Sequence, residues 1–169
     1  MDKVLGIGNA LVDIMTKLKD DQFLKDYELP KGSMQLVDQN FVSKVTQATE
    51  DLEKQQSSGG SAANTIHGLA RLGAPTGFIG KVGNDKLGDL FNQDLKENGI
   101  EPKLFRSETE SGRAIALIST DSERTFATFL GAAIELSPDE LTDALFSGYK
   151  ILHIEGYLIQ NHELLKKAF

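Results

Sequence analysis

Two adjacent glycines stand directly before an apolar helical pattern in the stretch SSGGSAANTIHGLARLG, residues 57–73. Gly59 and Gly60 let the main chain approach a ligand closely because glycine carries no side chain. Asn64, in the first turn of the expected helix, offers a donor and an acceptor near the positive end of the helix dipole. The stretch is therefore a candidate binding loop, although a flexible loop followed by a helix capped by Ser61 explains it equally well.

A second polar pair follows the first apolar strand of the chain. Asn9 and Asp13 lie just beyond its carboxyl end, where open α/β sheets bind their ligands. An amide and a carboxylate at this place could hold hydroxyl groups. The preceding G-x-G at residues 6–8 is a weak dinucleotide motif, because Leu11 stands where a third small residue is needed and residues 12–18 look extended. A tight turn therefore explains the motif better than a nicotinamide or flavin site.

Other motifs have ordinary structural explanations. The run GKVGND, residues 80–85, fits a strand-to-helix turn capped by Asp85. Arg113 and Arg124 flank a predicted hairpin, where an arginine either meets an anionic substrate group or, more commonly, keeps a strand edge soluble. The chain has no P-loop, no G-x-S-x-G elbow and no paired-ligand spacing among its histidines. We therefore expect no bound metal.

Composition limits the partners of the protein. The 169 residues are near the usual size of one domain, and 40% of them are hydrophobic. The formal net charge of −7 repels nucleic acid and anionic membranes, so we expect neither as a partner. The chain has no cysteine and no apolar run approaching about 18 residues, the length that a membrane span needs. The start, MDKVLGIGNALVDIMTK, does not read as a signal peptide, and we expect a cytoplasmic location.

Helix and strand patterns alternate along the chain, which predicts an α/β fold with a mainly parallel sheet and one or two antiparallel pieces attached as a lid. The apolar runs predict strands at residues 4–8, 12–18, 33–38, 77–82, 103–106, 113–120, 125–130 and 151–154, the last as an inner strand that the chain leaves with an unpaired edge. Apolar spacing predicts helices from Asn40 to near Gln56, from the glycine loop to Gly73, around 87–95, over 141–146 and from Asn161. The polar run TDSER at 120–124 predicts a hairpin turn.

Four stretches together resemble the amino-terminal half of the ribokinase family of sugar and nucleoside kinases, also called PfkB-type carbohydrate kinases. They are GIGNALVDI, GGSAANTIHGLARLG, GKVGNDKLGDLF and SGRAIALISTDSERTFATFLGAA, and the similarity runs from Val4 to about Gln160. The stretches GNALVDI, FLKDYELPKGSMQLVD and ERTFATFLGAA are most similar to the adenosine-kinase-like branch. The resemblance implies a ribokinase-like three-layer α/β/α fold with a mainly parallel central sheet and a small β lid.

The resemblance also implies roles for individual residues. Asn9, Asp13, Asn64 and the backbone of Gly59 and Gly60 would contact the hydroxyls of a ribose or another sugar. Further substrate contacts that the resemblance implies are Leu36, Arg124, Phe126, Thr128 and Leu130 on the lid, and Gly156 and Tyr157 after a later strand. Because Phe126, Thr128 and Leu130 alternate along one strand face, they suit a lid over an apolar base or sugar face.

One feature of the family has no counterpart in this chain. Family members run about twice this length, and their second half carries a G-x-G-D motif whose aspartate is the general base, together with most of the nucleotide site. No G-x-G-D occurs in residues 1–169, so we expect no catalytic residue here and the base downstream. We expect residues 1–169 to be the amino-terminal part of one domain, with lid strands from about 13–18, 33–38, 103–106 and 112–131.

The function implied by the resemblance is the substrate-binding and lid half of an ATP-dependent kinase. It would phosphorylate a hydroxymethyl group of an adenosine-, ribose- or fructose-like molecule, with ATP and Mg²⁺ bound largely beyond Phe169. A non-catalytic sugar or nucleoside binding module is the alternative, and a dinucleotide oxidoreductase is a distant third. A homodimer through the lid is an option that the sequence leaves open.

Overall fold

Two sheets organise the computed structural model, which describes residues 1–169. The strands are β1 (Val4–Ile7), β2 (Leu11–Lys17), β3 (Met34–Leu36), β4 (Lys54–Gly59), β5 (Thr76–Gly83), β6 (Ile100–Ser107), β7 (Gly112–Ile118), β8 (Arg124–Phe129) and β9 (Ile151–Ile154). The helices are α1 (Gln22–Asp26), α2 (Gln39–Ala48), α3 (Ser61–Arg71), α4 (Lys86–Glu97), α5 (Asp143–Phe146) and α6 (His162–Ala168). Short 3₁₀ segments cover Gly131–Glu135, Pro138–Glu140 and Gly156–Gln160. None of the helices has the length and apolar character that a membrane crossing requires.

The first sheet, which we call the parallel sheet, has the strand order β6-β5-β1-β9 and is parallel throughout. The nearly continuous burial of β1 and β5 is typical of parallel strands, which are covered on both faces. On one face, Phe78 of β5 packs against Phe91 of α4. On the other face, Leu5 and Ile79 belong to a separate apolar cluster with Leu164 of α6. Helices thus cover the parallel sheet on both sides.

The second sheet, which we call the mixed sheet, has the order β3-β8-β7-β2-β4. β7 and β8 form an antiparallel hairpin, β2 runs parallel to β7 and antiparallel to β4, and β3 runs parallel to β8. One face buries Ile14, Ile115 and Ala127 in the same apolar cluster as Val42 and Val45 of α2. Its opposite face is the wall of a cleft that is described in the next subsection.

Several predictions from the sequence are confirmed. The chain has an α/β fold with a mainly parallel sheet and an attached sheet that contains antiparallel pairs. The Asp85 carboxylate caps α4 by accepting a hydrogen bond from the Gly88 N–H at 2.8 Å. Asn161 caps α6 in the same way through the Leu164 N–H at 3.1 Å. The hairpin turn closes through a hydrogen bond from Ser119 N–H to Glu123 C=O of 2.9 Å.

The predicted helix from Asn40 to near Gln56 is wrong at both ends. Its cap is Asp38, whose carboxylate accepts from Phe41 N–H, and α2 ends at Ala48. Residues 54–59 form β4 instead, which pairs with β2. β4 is an edge strand of polar sequence, KQQSSG, and it lacks the apolar alternation by which strands are recognised.

Two further predictions need correction. Residues 103–106, expected in the lid, lie within β6 of the parallel sheet, where they pair with β5. The strand expected at residues 151–154 with one edge unpaired is confirmed, because β9 pairs only with β1 and lies at the edge of the parallel sheet. The second correction concerns the start of α3. Ser61 does not cap α3, because the N-cap position is Gly60 with a φ of 92°. The expected lid strands at 13–18, 33–38 and 112–131 all contribute to the mixed sheet.

Candidate functional site

A cleft of about 880 Å³ lies between the mixed sheet and the loops that follow β1 and β9. The mixed sheet contributes one wall, which includes Leu11, Asp13, Met34, Leu36, Ala114, Thr128 and Leu130. The start of α3 and the loop after β1 contribute Asn9, Gly60 and Ser61, and the segment after β9 contributes Glu155 and Tyr157. The cleft therefore lies at the carboxyl ends of parallel strands, where ligands of open α/β sheets bind.

Strand register places four wall residues in one row across the mixed sheet. Asp13 is paired with Ala114, Ala114 with Thr128, and Thr128 with Leu36. Residues paired across neighbouring strands point to the same face, so the row is polar at β2 and apolar at β3. The Leu36 side chain is 64% exposed, although leucine is usually buried.

The Asp13 carboxyl group is partly buried without a compensating partner. Burial raises its pKa above the ordinary value, and no hydrogen bond or cation offsets this effect. Gly59 lies directly behind it, since a Cβ on Gly59 would collide with the Asp13 carboxyl group. Asp13 is therefore an acceptor that a ligand with hydroxyl groups would satisfy.

Gly60 forms the junction between the mixed sheet and α3. Its φ of 92° is in the left-handed region that favours glycine, and a Cβ there would overlap the backbone oxygen of Asn9. The two neighbouring glycines thus have different functions. Gly59 leaves space for Asp13, whereas Gly60 permits the turn and the close approach to the loop after β1.

Asn9 is held by the carboxylate of Glu155, which follows the neighbouring strand β9. Oε1 of Glu155 accepts from the Asn9 backbone N–H at 2.9 Å and also from the Asn9 side-chain Nδ2. Oε2 of Glu155 accepts from the Ser61 hydroxyl at 3.2 Å and from the Ala62 N–H at 3.3 Å. Asn9 Oδ1 is buried and has no hydrogen-bond partner. The cleft wall therefore contains a second acceptor without a protein donor.

Most of the residues expected at the site line the cleft, namely Asn9, Asp13, Leu36, Gly60, Thr128, Leu130 and Tyr157. The structure does not bring the others to the cleft surface. Asn64 is exposed in the first turn of α3, and Gly59 lies behind Asp13. Phe126 lies two residues before Thr128 on the same face, opposite Met34. Arg124 is at the far end of β8, opposite Ile118, and Gly156 does not line the cleft.

Glu155 was not predicted from the sequence. This residue is only 4% exposed and is the one buried carboxylate side chain among the residues that line the cleft. A charged residue directly after the strand pattern ILHI, at the carboxyl end of the strand, was the available signal. The apolar residues Met34, Ile134 and Leu136 of the cleft were also not identified.

A separate polar cluster holds the end of strand β4 at Ser58. The Ser58 hydroxyl contacts His67 Nε2 of α3 at 2.7 Å and donates to Asp94 of α4, which also accepts from the Ser58 N–H at 2.9 Å. Burial lowers the pKa of His67. This cluster has a serine, a histidine and an aspartate, but the serine contacts both partners and no relay from aspartate through histidine exists. It joins the mixed sheet to two helices.

The chain contains no group of three or more histidine, cysteine, aspartate or glutamate residues that could hold a metal ion. At the start of α3, the Glu155 carboxylate accepts from the Ala62 N–H. Among the polar groups that line the cleft, Asp13 and Asn9 Oδ1 are acceptors without a donor in the protein.

Comparison with known proteins identifies a family. A family model described as "pfkB family carbohydrate kinase" matches residues 34–169. Among curated proteins, adenosine kinase 2 of Arabidopsis thaliana is 23% identical over 163 residues, which are 92% of this chain and 47% of that protein.

Two solved structures are similar to nearly the whole chain. A probable sugar kinase protein from Rhizobium etli CFN 42 has a TM-score of 0.85 at 32% identity and covers 99% of this chain and 52% of its own. The adenosine kinase from Sinorhizobium meliloti has a TM-score of 0.78 at 34% identity and covers 93% of this chain and 48% of its own. The chain spans about half the length of these relatives. The ribokinase-like fold and the family expected from the sequence are confirmed.

Proposed function

The chain belongs to the PfkB family of carbohydrate kinases, and we propose that it forms the substrate-binding part of a kinase that phosphorylates a hydroxymethyl group of a nucleoside or sugar. The observation that carries this proposal is the pair of acceptors without protein donors at one cleft, Asp13 and Asn9 Oδ1. Ligand hydroxyls are the donors that these acceptors lack. The similar proteins of known structure include an adenosine kinase and a probable sugar kinase.

Exposed apolar side chains favour a nucleoside as the first substrate to test. Met34, Leu36 and Ile134 are 49%, 64% and 60% exposed, and all three line the cleft. A planar base would cover this surface, and each Å² of apolar area removed from water contributes roughly 25 cal/mol. A hexose has less apolar surface with which to cover it. We therefore propose an adenosine-like nucleoside ahead of ribose or fructose.

Phosphoryl transfer to a hydroxyl depends mainly on positioning and on electrostatic stabilisation. In the proposed kinase, Asp13, Asn9 and the backbone at Gly60 orient the sugar, and the mixed sheet acts as a lid whose Leu36 and Leu130 face the base. When bound, ATP would supply the phosphoryl group and Mg²⁺ would neutralise phosphate charge. We propose that the general base and most of the ATP site lie outside residues 1–169.

Two secondary parts of the proposal concern location and assembly. We place the protein in the cytoplasm, where ATP is supplied. A homodimer through the mixed sheet would cover Met34 and Leu36, which are exposed apolar residues two positions apart on strand β3. Such a dimer would compete with a base for the same surface, so adenosine should weaken it.

The test is calorimetric titration of the 169-residue chain with adenosine, ribose and fructose. We expect adenosine to bind most tightly, and we expect ADP release only from a chain extended to the length of the relatives. Adenosine binding without ADP release by the extended chain would instead support a non-catalytic binding module. Absence of binding by all three compounds would contradict the proposed site.

A further inference from the structure

Glu155 is a buried carboxylate whose hydrogen bonds are all made to the protein. It is 4% exposed, and its two oxygens accept from Asn9 N–H, Asn9 Nδ2, the Ser61 hydroxyl and the Ala62 N–H. Burying a charge is costly unless donors surround it. These donors, together with the positive end of the α3 dipole, supply the hydrogen bonds and the positive potential that offset the burial of the carboxylate. A Cβ on Gly8 would collide with the same carboxylate, so the surrounding backbone closely confines the position of the Glu155 side chain.

The Glu155 carboxylate determines which way the Asn9 amide faces. An ionised carboxylate can only accept, so the Asn9 group beside it must be the NH₂ and not the carbonyl oxygen. The reversed amide would place Oδ1 against Oε1 of Glu155, where two acceptors repel each other. Asn9 Oδ1 is thereby turned away from Glu155, and it is buried without a partner in a residue that is only 7% exposed and lines the cleft.

We propose that Glu155 is a positioning residue that locks the Asn9 side chain as a hydrogen-bond acceptor, so that the ligand group bound at Asn9 is a hydroxyl acting as a donor. This inference rests on the proposed function. Without Glu155, an asparagine amide can present either its oxygen or its nitrogen to a ligand. With Glu155, the Asn9 side chain joins Asp13 as a cleft-lining acceptor that has no donor within the protein. The site therefore selects a ligand with at least two hydroxyl donors.

The same arrangement limits where a phosphate can bind. At the N-terminus of α3 the Ala62 N–H donates to an anion, but that anion is the Glu155 side chain. A ligand phosphate at this helix end would have to displace a buried, fully bonded carboxylate. The start of α3 thus serves the orientation of Asn9 and not the phosphoryl group.

A first experiment needs no ligand, and its deciding measurement is made on the unaltered chain, so it does not depend on the folding of a variant. In the ¹⁵N-labelled 169-residue chain, we expect one Asn9 Hδ2 proton to resonate downfield of the other side-chain amides and to exchange slowly, because it is bonded to a charge. In Glu155→Gln that proton should return to the ordinary range, whereas Glu53→Gln, which removes an exposed carboxylate paired with Lys17, should leave it unchanged. Ordinary, rapidly exchanging Asn9 protons in the unaltered chain would overturn the inference.

A second experiment measures the hydrogen-bond polarity directly with adenosine and its 2′- and 3′-substituted analogues. Fluorine in place of a hydroxyl cannot donate, whereas an amino group can. We expect the fluoro analogue at one of the two positions to bind at least tenfold more weakly than adenosine, and the amino analogue to bind within threefold of it. In Glu155→Gln this discrimination should fall below threefold at that position, and in Glu53→Gln it should persist.

Equal discrimination in the unaltered chain and in Glu155→Gln would overturn the positioning role. If adenosine binds to neither, the proposed substrate fails, while the Asn9 proton signal still decides whether Glu155 fixes the amide. The failure of the inference and the failure of the proposed function are thus separable.

Discussion

The two ends of β1 carry polar clusters of opposite character. At the amino end, the Glu101 carboxylate accepts from Lys3 Nζ at 2.6 Å and from the Tyr149 hydroxyl at 2.8 Å, and it forms an ion pair with Lys103 at 2.9 Å. The hydrogen bond from Lys3, followed by those from Lys103 and Tyr149, lowers the pKa of Glu101 to about 2. Burial, reinforced by Glu101, raises the pKa of Tyr149 to about 12. Every charge in this cluster has a partner within the chain.

At the carboxyl end, two acceptors have no donor within the chain. Burial raises the pKa of Asp13 without any compensating partner, and Asn9 Oδ1 is buried and unpaired. Unpaired polar groups are costly to a fold. We infer that charged groups with partners at one end of the sheet stabilise the fold. Acceptors without donors at the other end are available for binding a ligand. Substitutions at the two ends should therefore affect different quantities.

Gly60→Val should have the largest effect of all. A Cβ at this position overlaps the backbone oxygen of Asn9, and the φ of 92° strains any other residue by about 1–3 kcal/mol. We expect adenosine binding to fall below detection in calorimetry while the far-UV circular dichroism spectrum is retained. Gly68→Val is the control, because a Cβ on Gly68 meets open space. Affinity within threefold of the unaltered chain in Gly60→Val would show that the close approach is irrelevant to binding.

Asp13→Asn should weaken binding without weakening the fold. A hydrogen bond to a charged group contributes about 1.5–3 kcal/mol, so we expect a roughly 10- to 100-fold loss of adenosine affinity. The melting temperature should not fall, because the substitution removes an ionised group that has no partner in the folded chain. Calorimetric titration and thermal unfolding measure the two quantities. A loss of less than threefold would remove Asp13 from the site.

As the pH is lowered, ligand affinity at one end of β1 and the stabilising effect of Glu101 at the other end should be lost at different pH values. Because burial raises the pKa of Asp13 above its ordinary 3.8, the carboxylate that binds hydroxyls is lost as the pH falls through that raised value, and affinity falls with it. The pKa of Glu101 is lowered from 4.5 to about 2, so its contribution to stability is complete above pH 4.5 and is lost between 4.5 and 2. We expect adenosine affinity to decline at a higher pH than stability in urea titrations. Simultaneous loss of both would contradict this separation.

Glu101→Gln should have the smallest effect, and it should be on stability alone. The Glu101 side chain is 47% exposed, so solvent screening limits the expected loss in the free energy of unfolding to about 1 kcal/mol or less. Urea denaturation at pH 7 measures this loss, and adenosine affinity should stay within twofold. A larger change in affinity than in stability would show that the two ends of β1 are not independent.

The sequence predicted the elements that have strong local signals. α4 has an Asp85 cap and a regular apolar stripe, and the strands around Phe78 and Ile115 are apolar runs, so their types follow from residue patterns. β4 was not predicted because its polar sequence becomes a strand only by pairing with β2. The position of residues 103–106 in the parallel sheet is likewise a matter of tertiary pairing with β5, which local patterns do not encode.

The candidate site was predictable where its chemistry is local. Asn9 and Asp13 follow a buried strand, and the glycine pair precedes a helix, so both were identified before the cleft was known. Glu155 was missed because its role depends on contacts with residues 146 and 94 positions away. The row from Asp13 to Leu36 depends on the register of four strands, which the sequence alone does not specify.

Chemical-shift mapping of the ¹⁵N-labelled chain during titration with adenosine tests the central claim most directly, because it compares both ends of β1 in one experiment. We expect the backbone amides of Asn9, Asp13, Gly60 and Thr128 to shift with a single saturating curve, while those of Glu101 and Tyr149 stay fixed. Shifts confined to the Glu101 end, or a saturating shift that bypasses Asn9 and Asp13, would contradict the account that unsatisfied acceptors at the carboxyl end of β1 form the substrate site.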